Sequence, residues 1–230
     1  CPLPSGGPVV TQILNILQNY KFNRKSIESV ESKILTYHRI VEAMKFAYAR
    51  RSYFGDPDFV TDPKLKQVLK EVLNVTYNKE LYKKIWDNTT HIPSYYEKFN
   101  ETVRDEGSTS HLSVIAANGD TVSVTGSVNY YFGGKFRSKD TGIIYNNEMD
   151  DFSIPGKANG FGYQPSRNNF AQPGKRPLSS MSPTIFVDKR TGDVRLAIGA
   201  AGGSKIISST AWVSMLHLWM GLSLEKAVVT

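Results

Sequence analysis

One cysteine, Cys1, is all the thiol the chain contains, so no disulfide can close within it and no thiolate cluster can hold a metal. Histidine is almost as scarce. His38, His91, His111 and His217 never recur at i, i+3 or i+4, which removes the paired histidines of helical zinc sites. No apolar run is long enough to cross a bilayer, and nothing resembles a signal peptide. There is no Gly-x-Ser-x-Gly elbow, internal repeat or low-complexity tract. Dense blocks of like charge are also missing. The formal net charge is +7, but Lys and Arg are interleaved with Asp and Glu, and "KFNRK" (21–25) and "KRP" (175–177) are too short for a nucleic-acid stripe. The expectation is a globular chain with no metal, no cofactor and no nucleic-acid partner.

What is present builds a core. Hydrophobic residues make up 40% and charged residues 21%, an ordinary globular composition. A chain of 230 residues suits one large or two small domains and removes roughly 70–75% of its unfolded surface from water. Helix-period patterns run from residue 8 to about residue 90. "VVTQILNILQNY" aligns Val10, Ile13, Leu14 and Leu17, and "ILTYHRIVEAMKFAYARR" aligns Ile34, Tyr37, Val41, Met44 and Tyr48. Asp62-Pro63 is a helix start for "KLKQVLKEVL", and residues 87–99 read as a loop. From Thr109 the period becomes two. "DTVSVTGSV", "GIIYNN" and "PTIFVDKRTGDVRLAIGA" read as strands, and a last helix over 204–222 follows, with Gly221 near its end. The expected class is α+β, with a helical part over 1–108 and a mostly sheet part with covering helices over 109–230.

Four stretches carry chemistry. "DEGSTSHLSV" (105–114) places hydroxyls at Ser108, Thr109, Ser110 and Ser113 between a turn and a strand. "GAAGGSK" (199–205) lies between a strand and a helix, with a spacing wrong for a phosphate loop. It reads either as a tight turn or as exposed N–H groups that attract an anion or oxyanion. "NNEMDDF" (146–152) crowds Glu148, Asp150 and Asp151, and such carboxylates call for a cation, either a protein side chain or a ligand ammonium. "RPLSSMSPT" (176–184) offers Ser179 and Ser180 in a Pro-bracketed loop. Together these supply donors for a carboxylate, acceptors for an ammonium and a hole for an oxyanion. That set fits an α-amino acid whose side-chain carbonyl is attacked.

"TSHLSV", "NNEMDDF", "KRPLSSMSPTI" and "GAAGGSKI", in this order and spacing, resemble the γ-glutamyltransferases of the N-terminal-nucleophile hydrolase superfamily. "SGGPVVTQILNIL", "YHRIVEAMKFAYARR" and "GDPDFV" look like the C-terminal part of that family's large subunit, so the resemblance covers essentially the whole chain. It implies a part of the αββα sandwich of that superfamily. It also implies self-cleavage between Ser108 and Thr109, after which large and small subunits stay together. A Thr hydroxyl needs an adjacent base, and the freed α-amine, with a pKa of roughly 7.7–8.0, supplies one on the same residue.

By resemblance, Thr109 attacks the γ-carbonyl of glutathione or another γ-glutamyl compound, and water or an acceptor amino acid or dipeptide releases the ester. Ser127 orients Thr109, although many family members have Thr there. Gly202 and Gly203 hold the oxyanion, Ser179 and Ser180 the α-carboxylate, and Asn129, Glu148 and Asp151 the α-ammonium. The family's carboxylate-clamping arginine and a final segment fall outside residues 1–230, so residues 1–230 alone are expected to turn over little substrate. Sequons at Asn74, Asn88 and Asn100 fit a secreted protein or a membrane-anchored ectodomain. A non-catalytic γ-glutamyltransferase-like secreted module, or an inactive fragment, is the second reading.

Overall fold

A computed structural model of the protein describes residues 1–97, 108–158 and 164–230. Two compact units emerge, one of Cys1–Gly7, Phe54–Thr61 and Glu101–Thr210, the other of Pro8–Tyr53, Asp62–Asn100 and Ala211–Thr230.

The helical unit is built from α1 (Gly7–Leu17), α2 (Val30–Arg51), α3 (Pro63–Leu73) and α4 (Val75–Tyr82). In α1, Val10, Ile13 and Leu17 of the expected stripe are buried, and Leu14 only in part. Asp62 caps α3 by accepting from the Lys64 N–H, with Pro63 in the first turn, as expected of a residue that pre-sets the first turn and needs no N–H there. α2 departs from expectation. Its buried face is Thr36, Ile40, Ala43, Phe46, Ala47 and Ala49, whereas Ile34 and Val41 are 65% and 49% exposed. Two apolar stripes run along this helix, and periodicity alone does not say which one faces the core. Glu42 decides it. The side chain is buried and accepts from Lys45 Nζ at 2.7 Å, Thr90 Oγ1 at 2.8 Å and the Tyr96 hydroxyl. This network fastens the 87–97 segment to α2. Burial opposes ionisation of Glu42, but these donors outweigh it and hold its carboxyl below the ordinary value.

The other unit contains two antiparallel hairpins, β1 (Thr109–Ile115) with β2 (Thr121–Ser127), and β3 (Thr184–Val187) with β4 (Val194–Ile198). They are joined where Ser123 Oγ donates to the Ile198 carbonyl at 3.1 Å. In the first hairpin Thr109 pairs with Ser127, His111 with Thr125 and Ser113 with Ser123. Because side chains alternate faces, these hydroxyls and the imidazole share one face. Leu112, Val114, Val122 and Val124 share the other, which is exposed.

The strand expected at "GIIYNN" reduces to one bridge, Arg137 to Ile144. The reason is local. Phe132, Gly133, Lys135 and Gly142 all take positive φ, so the chain turns repeatedly and cannot stay extended. The helix expected over 204–222 is α5 (Lys205–Leu218), followed by a turn through Gly221 and by α6 (Leu224–Val229). α5 is apolar almost all round, and Ile206, Ile207, Ala211, Met215 and Leu216 are fully buried. The Asp105-Glu106-Gly107 part of the turn before Thr109 lies outside the described residues.

Candidate active site

The hairpin places Thr109 and Ser127 side by side at its open end. Thr109 Oγ1 lies 3.2 Å from Ser127 Oγ. The Ser127 hydroxyl donates to the Ser108 carbonyl at 3.2 Å and accepts from the Asn129 N–H at 2.9 Å. The Val128 N–H also donates to the Ser108 carbonyl at 3.3 Å. With Ser127's proton on that carbonyl, the Thr109 hydroxyl donates to Ser127. Two donors thus polarise the carbonyl of the Ser108–Thr109 bond, with the Thr109 hydroxyl close beside it.

Asn129 continues the chain of contacts. It is 2% exposed with φ of 74°, a conformation Asn tolerates better than most residues. Its Nδ2 donates to the Asn147 carbonyl at 3.1 Å, and Asn147 Oδ1 accepts from the Tyr130 N–H at 3.1 Å. The 3-10 turn Glu148–Asp151 begins there. The Glu148 N–H is held by Asn146 Oδ1 at 3.0 Å, and Tyr130 donates to Asp150 Oδ2 at 2.5 Å. The three expected acidic side chains therefore divide, with Asp150 taking a protein donor. Glu148 Oε1 is buried with no hydrogen-bond partner among the described residues. An unpaired carboxylate oxygen out of water is costly, so a cationic ligand suits it.

Ser179 and Ser180 sit in the loop before β3. Ser180 is 9% exposed, and the Ser179 N–H donates to the Pro4 carbonyl at 2.8 Å. Ser179 Oγ accepts from the Met181 N–H at 3.1 Å, and Ser182 donates to the Ser180 carbonyl at 2.9 Å. A buried carboxylate, Asp56, holds the start of this loop. It accepts from the Arg176 N–H at 2.9 Å, from Nε at 2.9 Å and from the far guanidinium nitrogen at 2.6 Å. Hydrogen bonding from Arg176 holds the Asp56 carboxyl well below the usual carboxylate range, against the effect of its burial. Asn169, 5% exposed, is a further polar residue of the region. Sequence reasoning singled out neither Asp56 nor Asn169. Asp56 and Arg176 are 120 positions apart, and Asn169 ends a single 3-10 turn, Arg167–Asn169, too short to show a periodicity, so neither gives a local signal.

Gly202 and Gly203 form the turn before α5 with φ of 117° and 56°. The first angle is one that side chains rarely adopt, whatever space is available. Their carbonyls accept from the N–H groups of Lys205 and Ile206. Upstream, Gly199 lies flat against the His111 ring, and a Cβ there would come within 2.2 Å of Nδ1. His111 is held by Thr125 Oγ1 and Ser113 Oγ, each at 2.8 Å, and burial pushes its pKa down. A neutral ring donating to one hydroxyl and accepting from the other satisfies both bonds.

Of the sequons, Asn74 joins α3 and α4, its Oδ1 accepting from the Tyr77 N–H at 2.9 Å. Asn88 is exposed in the loop after α4, and Asn100 lies outside the described residues. Among the described residues no group of His, Cys, Asp and Glu is placed to hold a metal ion, and no helix is long and apolar enough to cross a membrane.

Thr109 begins a strand with its hydroxyl beside Ser127, and two donors hold the carbonyl of the peptide bond before it, in a chain of mixed helix and sheet. The chain belongs to the gamma-glutamyltranspeptidase family, whose model matches residues 1–230. It is 41% identical over 227 residues to Scoloptoxin SSD14 of Scolopendra dehaani, covering 99% of this chain and 38% of that protein. It is 44% identical over 230 residues to Glutathione hydrolase 2 of Arabidopsis thaliana, covering 99% of this chain and 38% of that protein. The chain thus spans 38% of the length of each of these relatives. The solved structure of LmbA2991T421A is similar in fold, with a TM-score of 0.66 and 20% identity over 99% of this chain and 39% of that one.

Proposed function

We propose that this chain carries the nucleophile and the glutamyl-recognition loops of a self-processing γ-glutamyl transferase and glutathione hydrolase. The observation that carries the reading is the Thr109–Ser127–Ser108 arrangement, a hydroxyl beside a doubly hydrogen-bonded peptide carbonyl.

In processing, Thr109 Oγ1 attacks the Ser108 carbonyl carbon. The C–N bond to Thr109 breaks, its nitrogen takes the proton, and Ser108 becomes an ester on Thr109. Water hydrolyses that ester, leaving a Ser108 carboxylate and a Thr109 with free hydroxyl and α-amine. The amine is then the base that an internal Thr lacks.

In turnover, the α-amine takes the hydroxyl proton as Oγ1 attacks the γ-carbonyl. The N–H groups of Gly202 and Gly203 stabilise the oxyanion, a contribution of about 2.7–4 kcal/mol for one donor of this kind. The leaving amine departs with a proton, and water or an acceptor amine opens the γ-glutamyl ester. Glu148 and Asp151 take the α-ammonium with Asn129, and Ser179 and Ser180 take the α-carboxylate. Charge-assisted bonds of this type also reject substrates that lack the amine. Secretion, with glycans on Asn74, Asn88 and Asn100, belongs to the same proposal.

The test is mass spectrometry and turnover of a γ-glutamyl anilide by the full-length protein. A new terminus at Thr109 and release of the aniline are expected, both lost in Thr109→Ala. Cleavage that persists in Thr109→Ala would remove Thr109 from the role of processing nucleophile.

A further inference from the structure

We infer that Asn169 is a positioning residue that sets the separation between the ammonium-binding and carboxylate-binding loops of the site, and so the register in which an α-amino acid is read. The inference rests on the γ-glutamyl reading above and names the part of the chain that makes it selective.

Both ends of the Asn169 side chain are committed. Nδ2 donates to the Asp151 carbonyl at 2.8 Å, with Ser153 Oγ at 3.5 Å, and Oδ1 accepts from the Leu178 N–H at 2.8 Å. One partner closes the acidic turn Glu148–Asp151, and the other immediately precedes Ser179. The amide orientation is fixed by its partners, since a flipped amide would set N–H against N–H and oxygen against oxygen. The backbone repeats the connection, for the Ser153 N–H donates to the Asn169 carbonyl at 2.9 Å. Ser153 Oγ in turn accepts from the Ser166 N–H at 3.1 Å. Asn169 is 5% exposed, so water cannot readily replace either bond and losing one leaves a buried group unsatisfied.

A continuous path follows from nucleophile to serine loop, through Thr109, Ser127, Asn129, Asn147, the 148–151 turn, Asn169, Leu178 and Ser179. Every expected recognition residue lies on or beside it. An α-amino acid presents its ammonium and carboxylate a fixed distance apart on one carbon. Two loops that each bind one group gain selectivity for the pair only if their own spacing is fixed. Asn169 bridges them directly, whereas the Asp56–Arg176 pair lies on the serine side.

The two bonds can be removed separately. Asn169→Asp keeps an acceptor for the Leu178 N–H but loses the donor to Asp151, and Asn169→Leu loses both. The experiment measures inhibition of γ-glutamyl anilide turnover by glutamate, by glutarate, which lacks the amine, and by 4-aminobutyrate, which lacks the carboxylate. It is run on the full-length wild-type and variant proteins, with thermal midpoints recorded alongside. In Asn169→Asp the preference for glutamate over glutarate should fall about tenfold or more, while the preference over 4-aminobutyrate holds. In Asn169→Leu both preferences should collapse, and kcat/KM for the anilide should drop by roughly a hundredfold, the cost of a misplaced contact of about 1 Å. Lower midpoints with both preferences at wild-type values would make Asn169 a scaffold residue and overturn the inference. If either variant is too unstable to assay, Asn169→Ala, smaller and lacking both bonds, is measured the same way with the outcome expected of Asn169→Leu. Absence of anilide turnover by processed wild type is a different outcome, since it removes the γ-glutamyl reading itself.

Discussion

At residue scale, Ser127 shows how one hydroxyl can donate and accept at once. Its proton lies on the Ser108 carbonyl and its oxygen accepts from the Asn129 N–H. In the proposed self-cleavage that carbonyl becomes an oxyanion, with Ser127 and the Val128 N–H as its donors. Removing one such donor costs roughly 10²–10³ in rate. Self-cleavage in Ser127→Ala should therefore slow by about a hundredfold, whereas Ser127→Thr should process like wild type. The check is the rate at which the Thr109 terminus appears on a gel or by mass spectrometry. Equal rates in Ser127→Ala and wild type would leave polarisation to the backbone alone.

At the scale of elements, the serine loop depends on a buried charge. Asp56 is fully buried, while the Arg176 side chain is half exposed. Bonds to an ionised group are stronger than neutral ones, and the exposure of Arg176 weakens this pair through solvent screening. Because Arg176 depresses the Asp56 pKa in the folded state, the stabilisation is fully present above the ordinary carboxylate value, about 3.9. It is lost as the pH falls below that value towards the folded-state pKa. Asp56→Asn should therefore lower the thermal midpoint at neutral pH, and its gap from wild type should narrow below pH of about 4. Thermal midpoints across that range decide it. A gap that stays constant into acid would show that the packing of residue 56, not its charge, is what matters.

Elements also show what the sequence could and could not tell. The Asp62–Pro63 start, the β3–β4 hairpin and the helix after Gly203 were legible because each has a local cause, such as a cap, a turn or an alternation. The buried face of α2 was not. Ile34, Tyr37 and Val41 form as good a stripe as Ile40, Ala43 and Ala47, and the contact that chooses between them runs from Glu42 to Tyr96, 54 positions on. The site divides in the same way. Thr109, Ser127, Asn129, Glu148, Asp151, Ser179, Ser180, Gly202 and Gly203 are expected site residues through the resemblance that the motifs carry. Asp56, Asn169 and the packing of Gly199 on His111 arise only when distant segments meet.

At the scale of the molecule, the first hairpin separates two kinds of assembly. Thr109 and Ser127 are 18 positions apart and meet through one tight turn at Gly119, and hairpins of this sort form in about 1–10 μs. The proposed glutamyl recognition, by contrast, draws on residues from 129 to 180 and on the Asp56 clamp 120 positions from its partner. Long-range closure of that kind is the slow and easily damaged part of folding. Maturation and selectivity should therefore come apart in weakened variants. Asn169→Leu is expected to acquire its Thr109 terminus at close to the wild-type rate while losing discrimination among ligands, measured by following both in one preparation. A failure to mature would tie the two together. The short loop at Gly119 thus brings residues 109 and 127 together by local contacts alone, so the pair proposed for self-cleavage owes nothing to the distant segments that must close around the rest of the unit.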